Sequence, residues 1–163
     1  MPLASPRLLF LLAFLGSAAV MAGALYLEHV VGLAPCPMCI LQRIFVILFG
    51  VVGLIGFLHN PATTGRRVYA FLMLLASLGG GATAGRQIWL QSVPADQLPA
   101  CLPSLEYMMD ALPFQEIVSL VLHGSADCVE VTWTLFGMSL PEWALLAFIG
   151  MAAFSLYQLL RRG

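Results

Sequence analysis

Hydrophobic and polar positions in this chain do not alternate; they come in blocks. Residues 8–27, between Arg7 and Glu28, contain no charged side chain, and neither do residues 68–85, between Arg67 and Arg86, or 143–160, between Glu142 and Arg161. A further block, from about Met38 to Leu58, is interrupted once, by Arg43 near its start. A helix rising 1.5 Å per residue needs about 20 apolar residues to cross roughly 30 Å of hydrocarbon, so each block is long enough to span a bilayer. The pattern predicts transmembrane helices over about 8–27, 38–58, 68–85 and 140–160. The last begins early because Ser139, Leu140, Pro141 and Glu142 read as a capping box with proline in the first turn. A cleavable signal peptide competes for the first block, since Arg7 precedes it and Ala22, Gly23 and Ala24 resemble a cleavage site. The run is longer than an ordinary signal core and continues past that site, which favours a span.

Composition agrees. Of 163 residues, 61% are hydrophobic and 9% charged, against roughly 25% charged in a soluble domain. That excludes a water-soluble globule. Seven arginines, eight carboxylates and no lysine leave a net charge of -1 and no basic tract, which argues against nucleic acid as a partner. The expected fold is an all-α membrane protein, a single membrane domain over residues 1–163 built as a four-helix transmembrane bundle. Trp89, Trp143 and Tyr157 fall near span ends, where their rings suit either the membrane interface or packing between helices.

Arginine placement sets the expected orientation. Arg7, Arg66, Arg67, Arg161 and Arg162 fall on one side of a four-span bundle, and only Arg43 and Arg86 lie near the other edge. Five against two places both termini in the cytoplasm by the positive-inside rule. The outer side then receives loops of about 28–37 and 91–139. The long one is too long for a bare connector. Within it, Pro113 to Leu122 sets apolar residues around Gln115, Glu116 and Ser119, as in a short helix on the membrane surface or a lid folded over the bundle end.

This orientation brings all four cysteines, Cys36, Cys39, Cys101 and Cys128, to one side. None falls in mid-span, where a cysteine acting as a small hydrophobe would be expected. An even number in the compartment where disulfides persist points to disulfide chemistry. Zinc needs two close pairs, whereas Cys101 and Cys128 are separated by 26 residues, so no metal is expected. A structural bridge between those two also fits, worth roughly 3 to 4 kcal/mol of stabilisation in the chain-entropy model. Cys36, Pro37, Met38 and Cys39 are different, because a bridge across two residues constrains little chain and is better explained as a redox pair. Pro37 suits the first helical position, putting Cys36 at the N-cap and Cys39 in the first turn, where free amides and the helix dipole favour a thiolate.

Arg43 follows Cys39 by four residues and Cys36 by seven, which puts all three on one helical face. Such a charge either snorkels, pairs with an outer carboxylate, or serves as a fixed cation beside a thiolate and an electron acceptor. No Gly-rich dinucleotide loop is present, and His29, His59 and His123 lie in loops or at span ends rather than facing one another for haem. A lipid-soluble quinone, reaching Cys39 and Arg43 sideways from the bilayer, needs no such motif.

These residues resemble the DsbB family, bacterial inner-membrane proteins that reoxidise the periplasmic thiol oxidase DsbA and pass the electrons to quinone. The likeness is carried by Cys36 to Arg43 (CPMCILQR), Gly85 to Gln91 (GRQIWLQ), Cys101, and Asp127 and Cys128 through Trp133, Phe136, Gly137, Ser139, Pro141 and Trp143. It implies that Cys101 and Cys128 form the disulfide attacked by reduced DsbA, with Cys101 taking the mixed disulfide. Cys128 then exchanges with Cys36 and releases Cys39, the donor to ubiquinone or menaquinone, and Arg43 matches the arginine associated with quinone use. Gln42 stands where some members carry glutamate and Gln87 where some carry histidine, so the resemblance brings no acid or imidazole role to either. DsbA is a strong oxidant near about -120 mV, and a quinone supplies the drive needed to reoxidise it.

Two other functions fit the composition. A conduit carrying reducing equivalents outward needs cysteines on the cytoplasmic side or inside the bundle, and this chain places none there. A scaffold or small transporter would use Gly81 and Gly85, in G-x-x-x-G spacing, for helix packing, but leaves Cys39 and Arg43 unexplained.

Overall fold

A computed structural model of the chain describes residues 5–33, 35–94, 105–124 and 133–161. Four of its helices are long and apolar enough to cross a membrane: α1 (Pro6–His29), α2 (Pro37–His59), α3 (Thr63–Gln91) and α6 (Leu140–Leu160). Between α3 and α6 lie two short helices, α4 (Leu105–Ala111) and α5 (Phe114–His123), and a two-stranded hairpin, β1 (Thr134–Leu135) with β2 (Met138–Ser139).

Helix starts follow local chemistry. The Ser5 hydroxyl accepts from the Leu8 N–H at 3.3 Å ahead of Pro6. Cys36 caps α2 ahead of Pro37. The capping box of Ser139 and Glu142 opens α6, as the sequence predicts. α2 stops at Asn60, which takes the left-handed conformation (φ 45°) that asparagine tolerates.

α3 departs from expectation. It runs over 29 residues rather than stopping at the arginines that bound its apolar block. At 1.5 Å per residue that is about 44 Å, longer than the hydrocarbon layer, so the helix continues past the apolar block at both ends, carrying Arg67 and Arg86 exposed and Arg66 buried. Hydropathy marks where a helix leaves the lipid, whereas backbone signals mark where it ends, and here those are Pro61 and Pro94.

α2 packs on α1 and α3, and α3 packs on α6, while α1 and α6 barely meet. The core is Phe10, Ala13, Val46, Phe49, Met73, Ala76, Ala84, Phe148 and Met151. Leu12, Leu15, Ile47, Leu75 and Ile149 face outward, as suits a bundle whose solvent is lipid. Interior hydroxyls bond to their own helices, for example Thr83 to the Gly80 carbonyl at 2.7 Å and Ser155 to that of Met151 at 2.9 Å. Trp89, Trp143 and Tyr157 are all exposed, which favours the interfacial role over interhelical packing.

The close helix approach is not at Gly81 and Gly85. A Cβ on Gly85 would meet nothing within 4 Å, and one on Gly81 would make only ordinary contact. On α3 the tight positions are Gly80, where a Cβ would sit 2.1 Å from the Phe148 ring, and Gly79, where it would sit 2.6 Å from the Phe45 ring. Small-residue spacing marks a helix as able to pack closely, but rotation about its axis decides which glycine faces the neighbour.

The helix expected over 113–122 is α5. Its Ile117 and Val121 bury against Met38, Leu90, Met108 and Cys36, so this face closes the bundle end as a lid, while Gln115, Glu116 and Leu122 face outward. The hairpin was not expected. Its turn, Phe136 and Gly137, has φ of 53° and 79°, the pair of positive values that a type I′ turn requires.

Candidate functional site

The site is assembled at the N-terminus of α2. With Pro37 at the first helical position, the Cys36 side chain folds back over the first turn and its Sγ accepts from the Cys39 N–H at 3.3 Å. The two sulfurs approach to 2.7 Å. Cys36 is buried beneath α5, and Cys39 is half-buried and turned to the bundle interior. The Cys36 sulfur thus caps a first-turn amide, and the N-terminal end of α2 favours negative charge on the pair.

One turn further along α2, Arg43 lies on the same wall. Its Nη1 is paired with Glu28 Oε2 at the end of α1, and its Nη2 donates to the Ala24 carbonyl at 3.3 Å. Both partners of the ion pair are half-buried, at 21% and 28% exposure. Arg43 is thus neither bare nor snorkelling: α1 supplies the carboxylate that makes it tolerable in this setting. Pairing with an outer carboxylate is one of the readings the sequence allows for Arg43; which carboxylate it is, Glu28 at the end of α1, the spacing alone does not say.

Two glutamines complete the inner wall. Gln42 (7% exposed) and Gln87 (4% exposed) join α2 to α3 through a hydrogen bond from Gln42 Nε2 to Gln87 Oε1 of 2.8 Å. Gln87 Nε2 points at the sulfurs, 3.4 Å from Cys36 and 3.6 Å from Cys39.

Cys36, Cys39, Gln42, Arg43 and Gln87 all line a cavity of about 430 Å³. Its remaining walls are largely apolar, with Val20, Met21 and Leu27 from α1, and Ala144, Ala147 and Phe148 from α6. The cavity occupies the side where α1 and α6 scarcely touch, and the hairpin roofs it through Leu135 and Ser139. Trp143 holds that roof, its Nε1 donating to the Leu135 carbonyl at 3.2 Å. An apolar chamber with a few polar groups gathered at its thiol end can take a flat, lipid-soluble molecule. No group of three or more metal-binding side chains occurs among the described residues. Cys101 and Cys128 lie outside the described residues.

The sequence profile of the family Disulfide bond formation protein DsbB matches residues 6–158. Among curated proteins the chain is 69% identical over 162 residues to Disulfide bond formation protein B of Stutzerimonas stutzeri (strain A1501), with 99% of each chain covered. It is 65% identical over 162 residues to Disulfide bond formation protein B 1 of Pseudomonas aeruginosa (strain PAO1), again covering 99% of each. Disulfide bond formation protein B of Hahella chejuensis is 51% identical over 156 residues, covering 96% of this chain and 94% of that one. A profile spanning all four long helices, together with relatives matched almost end to end, establishes that the chain belongs to the DsbB family of disulfide bond formation proteins.

Proposed function

We propose that this protein is an inner-membrane protein-disulfide:quinone oxidoreductase, which reoxidises a DsbA-like periplasmic thiol oxidase and passes the electrons to a membrane quinone, ubiquinone or menaquinone. The observation that carries the reading is the cysteine pair at the start of α2, which lines a largely apolar cavity with Arg43 one turn away. The whole chain acts as one membrane domain. Its arginine-rich end, with both termini, faces the cytoplasm, and its cysteine end faces the periplasm.

In this reading a thiolate of the reduced partner attacks Cys101, forming a mixed disulfide and breaking the bond to Cys128. The freed Cys128 thiolate attacks Cys36, breaking the bond to Cys39 and leaving the charge on Cys39 Sγ. The partner's second thiol then displaces Cys101 and leaves as the oxidised protein; Cys101 attacks Cys128, re-forming their bridge and releasing Cys36, so the two electrons now reside in the Cys36–Cys39 dithiol, whose bond re-forms when they are given up. A quinone supplies the oxidising drive, taking up two electrons and two protons as it becomes quinol. Val20, Met21, Ala147 and Phe148 suit its apolar body and Arg43 its carbonyl oxygens. The start of α2 favours the negative charge on Cys39, and the α5 lid covers Cys36 from bulk water.

The test is quinone reduction by the purified full chain supplied with reduced DsbA-type protein. Cys39→Ala and Cys101→Ala are each expected to abolish turnover. Undiminished quinone reduction in both variants rejects the relay.

A further inference from the structure

Gln87 approaches the cysteine pair from α3, and both ends of its amide are engaged. Oε1 accepts from Gln42 Nε2 at 2.8 Å, while Nε2 lies 3.4 Å from Cys36 Sγ and 3.6 Å from Cys39 Sγ. The oxygen of the same amide also accepts a longer contact from the Cys39 S–H, at 3.9 Å, which is lost once Cys39 is a thiolate, leaving only the N–H end to face the charge. A primary amide has one accepting end and one donating end. Gln42 occupies the accepting end, so the donating end is turned to the sulfurs.

We propose that Gln87 is a catalytic residue of thiol exchange, its N–H donors stabilising the negative charge that arrives on Cys39 Sγ, and that Gln42 is the positioning residue that keeps the amide in this orientation. The inference rests on the relay reading above. When a Cys128 thiolate attacks Cys36 Sγ, a Cys36–Cys128 bond forms, the Cys36–Cys39 bond breaks, and the electron pair leaves with Cys39 Sγ; no proton moves. A hydrogen bond donated to the charged form favours that form, and a thiol of lower pKa leaves faster.

The setting makes this donor distinctive. Among the described residues, the ionisable groups lining the cavity besides the two cysteines are Glu28 of α1 and Arg43 of α2, already paired with each other. α3 presents Gln87 and Gln91 there, and α6 presents apolar side chains. α5 carries Glu116 and His123 on its exposed face, away from Cys36. Two neutral amides therefore give the leaving sulfur a donor whose own charge does not change with pH.

The test is the pKa of Cys39 in the reduced full-length protein, read from the pH dependence of alkylation and resolved to this cysteine by mass spectrometry. Gln87→Leu is expected to raise it by about one, the size of effect one good hydrogen bond to a thiolate supplies. Gln87→Asn, one methylene shorter and still polar, withdraws the amide without placing an apolar group against Gln42, and is expected to shift the pKa in the same direction. Gln42→Leu leaves the donor present but unanchored and gives a smaller rise. A purely structural clamp between α2 and α3 would lower the unfolding midpoint in these variants and leave the Cys39 pKa where it was. An unchanged pKa in folded Gln87→Leu or Gln87→Asn protein overturns the proposal. Alkylation requires neither partner protein nor quinone. Failure of the relay reading would appear separately, as absent quinone reduction by the unsubstituted protein.

Discussion

Arg43 shows what one charge does inside an apolar helix. Its guanidinium is held by Glu28 and by the Ala24 carbonyl, both on α1, so the same residue ties α1 to α2 and leaves a cation on the cavity wall. Arg43→Ala is expected to leave the cysteines able to form their bridges and to raise the quinone KM or lower kcat about tenfold, equivalent to about 1.4 kcal/mol of lost binding or transition-state stabilisation. Steady-state kinetics with varied quinone checks this, and unchanged constants would reduce Arg43 to a strut between helices. The position of Arg43 relative to Cys36 and Cys39 is legible in the sequence, because spacings of four and seven residues set a face within one helix. Its engagement with Glu28 is not, because the partner lies 15 residues away on another helix.

Among the elements, the α3–α6 contact and the α5 lid carry the most consequence. Gly80 admits the Phe148 ring, and the same ring lines the cavity. Gly80→Ala forces an overpacking that costs about 1 to 3 kcal/mol, measurable as a lower unfolding midpoint in detergent. Combining it with Phe148→Leu is expected to recover part of the loss. The α5 lid packs Ile117 and Val121 onto the cluster that contains Cys36. Ile117→Asn is expected to loosen it and speed alkylation of Cys36 severalfold while leaving the far-ultraviolet helix signal nearly unchanged. The α5 apolar pattern is plain in the sequence, but its inward packing is not, since a membrane surface and a bundle end accept the same face.

At the scale of the whole molecule, the helices follow chain order around the bundle and leave a gap on the side between α1 and α6. The cavity that ends at the sulfurs is lined from both of these helices. The arginine-rich end and the cysteine end are opposite ends of the same bundle, so orientation in the membrane decides which compartment the thiols serve. An impermeant maleimide applied to intact spheroplasts after mild reduction is expected to label the cysteines. Labelling that appears only after lysis would reverse the orientation and remove the periplasmic partner.

What the sequence by itself determined were features that depend on neighbours along one helix or on solvent: four spans, the proline-led starts of α2 and α6, and the shared face of Cys36, Cys39 and Arg43. Only the tertiary structure decided how each helix is turned about its axis, and with it the Arg43–Glu28 pair, the Gln42–Gln87 bond across 45 residues, the Gly80–Phe148 contact and the cavity itself. The reason is physical. In water a helix announces its inner face by an apolar stripe, but in lipid both faces are apolar. Small residues and isolated polar ones then determine helix rotation, and their partners become visible only once the helices are packed.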